Sequence, residues 1–194
     1  AALARQIAEI LPISAPYVLE VGAGSGRLAA DLLAALAEAG ALPERYYILD
    51  LSADLRERQQ ATLAAAVPQW LDRVEWLDRL PEAFSGVVVG NELLDAMPAH
   101  IVAWREAGIF ERGVAVDAAG GFVWQEQPAQ GALRDAAEEI GRQCALPPGY
   151  ESEISLAARA WAGEWGHRLV RGVLLLIDYG FPRREFYHQQ RARG

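Results

Sequence analysis

Residues 17–26, Tyr-Val-Leu-Glu-Val-Gly-Ala-Gly-Ser-Gly, constrain the fold of this chain more than any other stretch. A short, largely apolar run leads into glycines at positions 22, 24 and 26. A helical pattern begins at once, with Leu28, Leu32 and Leu36 at i, i+4 and i+8. That order predicts strand, tight turn, helix, the opening half of a βαβ unit. A backbone that turns so sharply and admits a ligand at contact distance has no room for a Cβ. The first N–H groups of the following helix lack intrahelical partners, so they offer donors to a polar ligand over the turn.

Spacing narrows the ligand. The dinucleotide fingerprint needs its third glycine where Arg27 stands, and a P-loop needs Gly-Lys-Ser/Thr in a chain that has no lysine. What stands here is an acid, an apolar residue and Gly-x-Gly-x-Gly, with Glu20 just ahead of the turn. This resembles the first motif of the Rossmann-like S-adenosylmethionine methyltransferases. The resemblance implies that Glu20 and the backbone of Gly22, Ala23, Gly24 and Gly26 hold the amino-acid end of S-adenosyl-L-methionine. The chemistry agrees: that cofactor carries an ammonium for a carboxylate to pair with, and no pyrophosphate to cradle. The second strand, Tyr46–Leu51, has Asp50 at its C-terminal end, 24 residues beyond Gly26. An acid ~20 residues past the glycines commonly takes ribose hydroxyls. Asp50, with Leu51 and Ser52 beside it, is therefore the ribose candidate, and Ser52 also suits the cap of the next helix.

Composition sets outer limits. With 194 residues the chain can bury one substantial core, which predicts a single domain over 1–194. All 18 basic residues are arginine, and 26 acids leave a net charge of −8. Nucleic acid is a poor partner for such a surface, whereas a cationic substrate is favoured by it. No apolar run reaches the ~20 residues that span a bilayer. One cysteine, Cys144, rules out an internal disulfide framework and fits a reducing, cytoplasmic setting. The three histidines have no metal-ligand spacing, so no metal site is expected. The only methionine is Met97, and the chain reads as a fragment whose native ends are missing, so a targeting segment stays open. Nothing in the pattern fixes an oligomeric state.

Along the chain, helices are expected over 1–10, 26–39 (with Gly40 closing it), 53–66, 131–144 and 154–166. Arg73–Leu77, Gly86–Glu92 and Gly172–Gly180 read as further buried parallel strands, the last two ending in polar residues. Between them the pattern alternates: His100–Glu106, Ile109–Val116 and Phe122–Gln125, with turn signals at Ala107-Gly108 and 117–121. This predicts an antiparallel meander inserted at about 100–126. Cys144 lies on the apolar side of its helix and reads as core rather than nucleophile. The tail, 181–194, carries Arg183, Arg184, Arg191 and Arg193 and reads as loop. The fold class expected is α/β, a Rossmann-like doubly wound, mostly parallel sheet with that meander inserted.

The second stretch of chemical interest is Gly90-Asn-Glu-Leu-Leu-Asp-Ala-Met-Pro98. Strand ends at 20–26, 50–52, 91–95 and 178–180 fall on one edge of a parallel sheet, which predicts a single pocket. The 90–98 block resembles the Asn-Glu-x-x-Asp-Ala-x-Pro signature of the MidA-like proteins, which include a mitochondrial complex I assembly methyltransferase acting on a protein arginine. Residues 19–26, the Ile48–Gln59 stretch with its Leu-Arg-x-x-Gln, and Leu175–Pro182 with His188 match that family as well. The resemblance covers nearly the whole chain and implies S-adenosyl-L-methionine as cofactor and an arginine-bearing protein as substrate. It implies guanidinium orientation by Glu92 and Asp95, since carboxylates hold a delocalised cation through paired hydrogen bonds. Asn91 is expected at the cofactor or substrate edge, with Asp178 and Tyr179 on the substrate wall. Two other readings stay open: a small-molecule methyltransferase using the same pocket, and a cofactor-binding assembly factor with little catalysis.

Overall fold

The computed structural model describes residues 2–192; Ala1 of the first predicted helix and Arg193 and Gly194 of the tail lie outside them. The backbone divides into two compact units, Ala1–Leu94 with Ala162–Asp178, and Asp95–Trp161 with Tyr179–Gly194.

The first unit holds a five-stranded parallel sheet. Its strands are β1 (Tyr17–Val21), β2 (Arg45–Leu49), β3 (Val74–Leu77), β4 (Phe84–Asn91) and β9 (Leu169–Ile177), in the order β3-β2-β1-β4-β9. Each is within a few residues of its predicted span. Val18, Tyr46, Ile48, Val87 and Val89 form one face, completely buried beneath α1 (Ala2–Ile10), α2 (Arg27–Glu38) and α3 (Ala53–Ala66). Of the predicted leucine stripe, Leu32 and Leu36 of α2 are buried in that layer and Leu28 packs against it half-buried; Leu33 and Ile7 of α1 are buried there too. On the other face Tyr17, Tyr47, Phe84 and Trp165 stack edge to face, with successive ring centroids 6.1–6.4 Å apart. Such contacts favour a fixed geometry over loose apolar filling. Ser52 caps α3, accepting the Leu55 N–H at 3.3 Å.

The second unit corrects the predicted meander. β5 (His100–Arg105), β6 (Gly108–Val116) and β7 (Phe122–Pro128) form it, but β8 (Tyr150–Ile154) adds a fourth strand, in the order β7-β6-β5-β8. Ile154, expected in a helix, is therefore strand, because Val102 and Ser152 pair across β5 and β8 and draw the segment into the sheet. The helix α5 begins only at Leu156 and runs to Arg168. The tail is not all loop: Arg183–Phe186 forms one helical turn, α6, and Gln189–Arg191 a 3-10 turn. Helix α4 (Gly131–Cys144) keeps its predicted limits and buries Leu133, Ala136, Ala137 and Ile140 against Val102, Trp104 and Tyr150. Cys144 packs beside this cluster, as a core thiol should. On the strands, Arg105 and Arg112 interleave with Glu126 and Glu151 as a four-charge network. Among the described residues no helix is long and apolar enough to cross a membrane.

Trp104 is tightly held: its indole N–H donates to the Ala137 carbonyl at 3.1 Å, and a Cβ on Gly141 would come within 2.9 Å of that nitrogen. Helix propensity alone favours Ala over Gly by about 1 kcal/mol. The contact outweighs it, since a buried ring cannot yield without breaking its hydrogen bond, so Gly141→Ala is expected to destabilise by about 1–2 kcal/mol. The urea midpoint checks this, and a gain would mean that Trp104 has slack.

Candidate functional site

β1 marks the reversal of strand order, with β2 and β3 on one side and β4 and β9 on the other. In parallel sheets ligands settle at such a switch point, beyond the carboxyl ends of the strands. Here those ends are level: Val21 lies opposite Leu49 and Gly90, and Asn91 opposite Ile177. The edge therefore gathers the residues that follow β1, β2, β4 and β9.

The turn after β1 alternates through left-handed backbone at Gly22, Gly24 and Gly26, with φ of +72°, +53° and +79°. Any other residue would be strained there. The Gly22 N–H donates to the Leu49 carbonyl at 2.9 Å and the Gly26 N–H to the Ala23 carbonyl at 2.8 Å. A Cβ would stand 3.1 Å from Leu93 at Gly22 and 2.9 Å from the Gln59 Cα at Gly26, but would meet nothing within 4 Å at Gly24. The turn is thus packed at both ends and open in the middle. No side chain caps α2 at Gly26, so its leading N–H groups face the same opening. The cradle suits the polar end of a small ligand.

Glu20 is buried, 2% exposed, and accepts the Tyr46 hydroxyl at 2.6 Å through Oε2. Burial pushes its carboxyl up to about 7, the Tyr46 hydrogen bond opposes this, and the charge of Asp50 adds to it. Tyr46 is driven well above its usual range, by burial first and then by the Glu20 charge. Glu20 is therefore a buried acid at the base of the turn, whose ionisation its surroundings resist, and not a group standing open to solvent.

Asp50 follows β2 and is half-buried. Its Oδ1 accepts the Ser52 N–H at 3.1 Å and its Oδ2 the Gln59 Nε2 at 2.9 Å. Both oxygens are oriented, and each keeps acceptor capacity for a hydroxyl. Ser52 thus serves as cap and as brace, whereas the Leu51 side chain is 95% exposed. Beyond β3, a groove of about 690 Å³ runs along Trp76–Glu82. Arg56 of α3 ties down two of its lining residues, donating to Asp78 at 2.7 Å and to the Leu77 carbonyl at 3.2 Å.

At the end of β4, Asn91 is exposed and Glu92 adopts φ of +49°, its N–H donating to the Ile177 carbonyl at 2.7 Å. Asp178 accepts the Leu94 N–H at 2.7 Å, so it braces the turn that carries Glu92. The predicted residues of this unit, from Glu20 to Asp50, Asn91, Glu92 and Asp178, do share one sheet edge. Asp95 and Tyr179 belong to the other unit, where both are exposed, Tyr179 at 77%. Sequence reasoning gave no role to Tyr46 and Trp76, and had Gln59 only as the last residue of the Leu-Arg-x-x-Gln match; their polar atoms hold the site from below. Their only signal was the polar groups themselves, at positions that packing buries.

A glycine cradle, an oriented acid at the neighbouring strand end and a polar turn across the switch point lie together along the edge where open α/β sheets bind their ligands. The family comparison is specific: residues 2–194 match the family described as "Putative S-adenosyl-L-methionine-dependent methyltransferase", and the chain belongs to it. The cofactor of this family is S-adenosyl-L-methionine. A Burkholderia thailandensis protein crystallised with S-adenosyl-homocysteine is 48% identical, with a TM-score of 0.90 over 99% of this chain and 49% of its own. A native crystal structure from the same organism is also 48% identical, with a TM-score of 0.89 over 99% of this chain and 51% of its own. The chain therefore spans about half the length of these proteins. No curated protein matches it.

The buried acid gives a pH signature. The folded state favours the protonated Glu20 carboxyl, so its contribution is fully present below about pH 4.5 and is lost as pH rises through about 7. The loss is about 3 kcal/mol. Glu20→Gln is expected to remove that slope, so the gap between variant and parent in thermal midpoint widens from pH 5 to pH 8 in the variant's favour. Parallel pH profiles would show that Glu20 carries no buried charge.

Proposed function

We propose that this chain is the cofactor-binding and acceptor-orienting part of a MidA-like methyltransferase that methylates an arginine nitrogen on a protein partner. Its two compact units act as a single methyltransferase domain. The observation that carries the reading is Glu92, a non-glycine residue held at φ of +49° on the cofactor edge. Left-handed backbone costs about 1–3 kcal/mol and persists where the surroundings enforce it, as the Ile177 carbonyl and Asp178 do here. Such strain is a recurrent mark of functional turns.

When bound, the cofactor supplies an electrophilic methyl on a sulfonium. Gly22, Ala23, Gly24 and Gly26 bind its amino-acid end through their backbone, and Glu20 supplies the balancing negative charge beneath the ammonium. Asp50 takes the ribose hydroxyls. Glu92 pairs with the guanidinium N–H groups, holds the attacking nitrogen in line and localises electron density on it. A carboxylate also receives the proton released once that nitrogen carries its new bond. Asn91 contributes a neutral donor and acceptor at the same edge, and Asp178 borders the acceptor. The net charge of −8 favours approach of a cationic segment.

Two measurements test this. Calorimetric titration of S-adenosylhomocysteine at pH 8 should show binding by the parent and at least tenfold weaker binding by Glu20→Gln, the scale of one charged contact. Methyl-labelled cofactor, supplied with cell extract, should place label in protein and release methylarginine on hydrolysis. Glu92→Gln should cut that transfer by about 100-fold with little change in S-adenosylhomocysteine affinity, because its contacts are with the acceptor. Label confined to low-mass metabolites would overturn the protein substrate.

A further inference from the structure

Gln59, on α3, is completely buried yet wholly polar at its tip. Its Nε2 donates to the Gly24 carbonyl at 3.1 Å and to Asp50 Oδ2 at 2.9 Å, while its Oε1 accepts the Trp76 indole N–H at 3.0 Å. One amide therefore joins the glycine turn, the acid after β2 and the end of β3. Only one orientation of the amide makes all three contacts donor to acceptor, and the indole, a donor only, enforces it. Turned over, the amide would set an oxygen against two acceptors and an NH2 against a donor.

The consequences reach the ligand through two groups. In a planar trans peptide the Ser25 N–H points opposite to the Gly24 carbonyl, so fixing that carbonyl on Gln59 directs the Ser25 N–H away from α3. Gly24 is also the position with open space above it. Asp50 is held at both oxygens, by Ser52 and by Gln59, and so presents its remaining lone pairs in one plane. A vicinal diol needs that arrangement, and preorganising it removes the ordering cost from binding.

We propose that Gln59 is a positioning residue that locks the glycine turn and Asp50 into one preformed recognition unit for a nucleoside with free 2′ and 3′ hydroxyls, and that Trp76 sets the amide's direction. The inference rests on the assignment of Asp50 to ribose. Gln59 touches no ligand itself. It acts by holding the groups that do.

The test is calorimetric titration of S-adenosylhomocysteine and of its 2′,3′-dideoxyribose counterpart into the parent and into Gln59→Leu, Gln59→Glu, Trp76→Phe and Asp50→Ala, with thermal melts of each without ligand. The parent should prefer the ribose form by about tenfold or more, the scale of two hydrogen bonds to a carboxylate. Gln59→Leu and Gln59→Glu should bind the ribose form about 30-fold more weakly and the dideoxy form, which still meets the glycine turn, about threefold more weakly, so the preference collapses. Trp76→Phe keeps the ring and the amide, and should cost about threefold on the ribose form alone. If Gln59 and Trp76 variants that melt as the parent does keep its ribose preference, Gln59 is packing and the proposal falls. If the Gln59 variants do not fold, Trp76→Phe decides alone by the same criterion. If Asp50→Ala retains the parent's preference, the ribose assignment fails, and with it the inference. A parent that binds neither ligand overturns the cofactor reading beneath both.

Discussion

Parallel strands force the chain to cross back over the sheet after every strand, and the side on which it crosses decides where a ligand can enter. Here the crossovers reverse at β1, so a crevice opens beyond the carboxyl end of that strand. Everything else at the site is a response to this opening. The glycines let the turn pass through it without filling it, and the level ends of β2, β4 and β9 deliver Asp50, Glu92 and Asp178 to the same edge. Shifting one strand by a residue would turn its side chains to the opposite face. The cradle thus depends on pairings such as Val18–Tyr46 and Val18–Val87, which are fixed in turn by their burial under α1 and α2.

That burial has an electrostatic price, and Glu20 carries it. A carboxyl 2% exposed sits in surroundings that oppose its ionisation, and a single tyrosine hydroxyl answers it. For stability alone an apolar residue would serve better, because replacing a buried charge by packing is often neutral or favourable. A fold that keeps the acid keeps it for something outside the core, and a cation above the turn is the partner that would favour its charged form. Binding and folding then pull on one group in opposite directions.

The sequence was informative wherever structure follows from local rules. Glycines on alternate positions, the leucine stripe of α2, the cap at Ser52 and the apolar run into Asn91 are each dictated by backbone geometry or periodicity, and their elements lie where those rules put them. β8 escaped because Tyr-Glu-Ser-Glu-Ile alternates over only five residues beside Pro-Pro-Gly, and its strand character comes from pairing with β5, about 50 residues away. The role of Gln59, present in the sequence only as the end of the Leu-Arg-x-x-Gln match, escaped for the opposite reason. In Arg-Glu-Arg-Gln-Gln a glutamine looks like helix surface, and only the tertiary structure reveals that one of the two is buried among acceptors.

The same contrast explains the turn after β4. A signature of polar residues can be read as chemistry, but not as strain, because φ at Glu92 is decided by what pins its neighbours. Its own N–H is tied to Ile177, and the Leu94 N–H two residues later to Asp178, so β9 clamps the turn at both sides of Leu93. Leu93 in turn fills the space beside Gly22 and Gly90. The residues that flank Glu92 therefore pack the glycine turn, and a change in either turn must be felt by the other. Asp178, expected as a wall of the acceptor site, does its visible work as the clamp of this joint. If Glu92 orients the acceptor as proposed, a turn clamped in this way fixes its backbone before any acceptor arrives, the condition under which positioning lowers a barrier most.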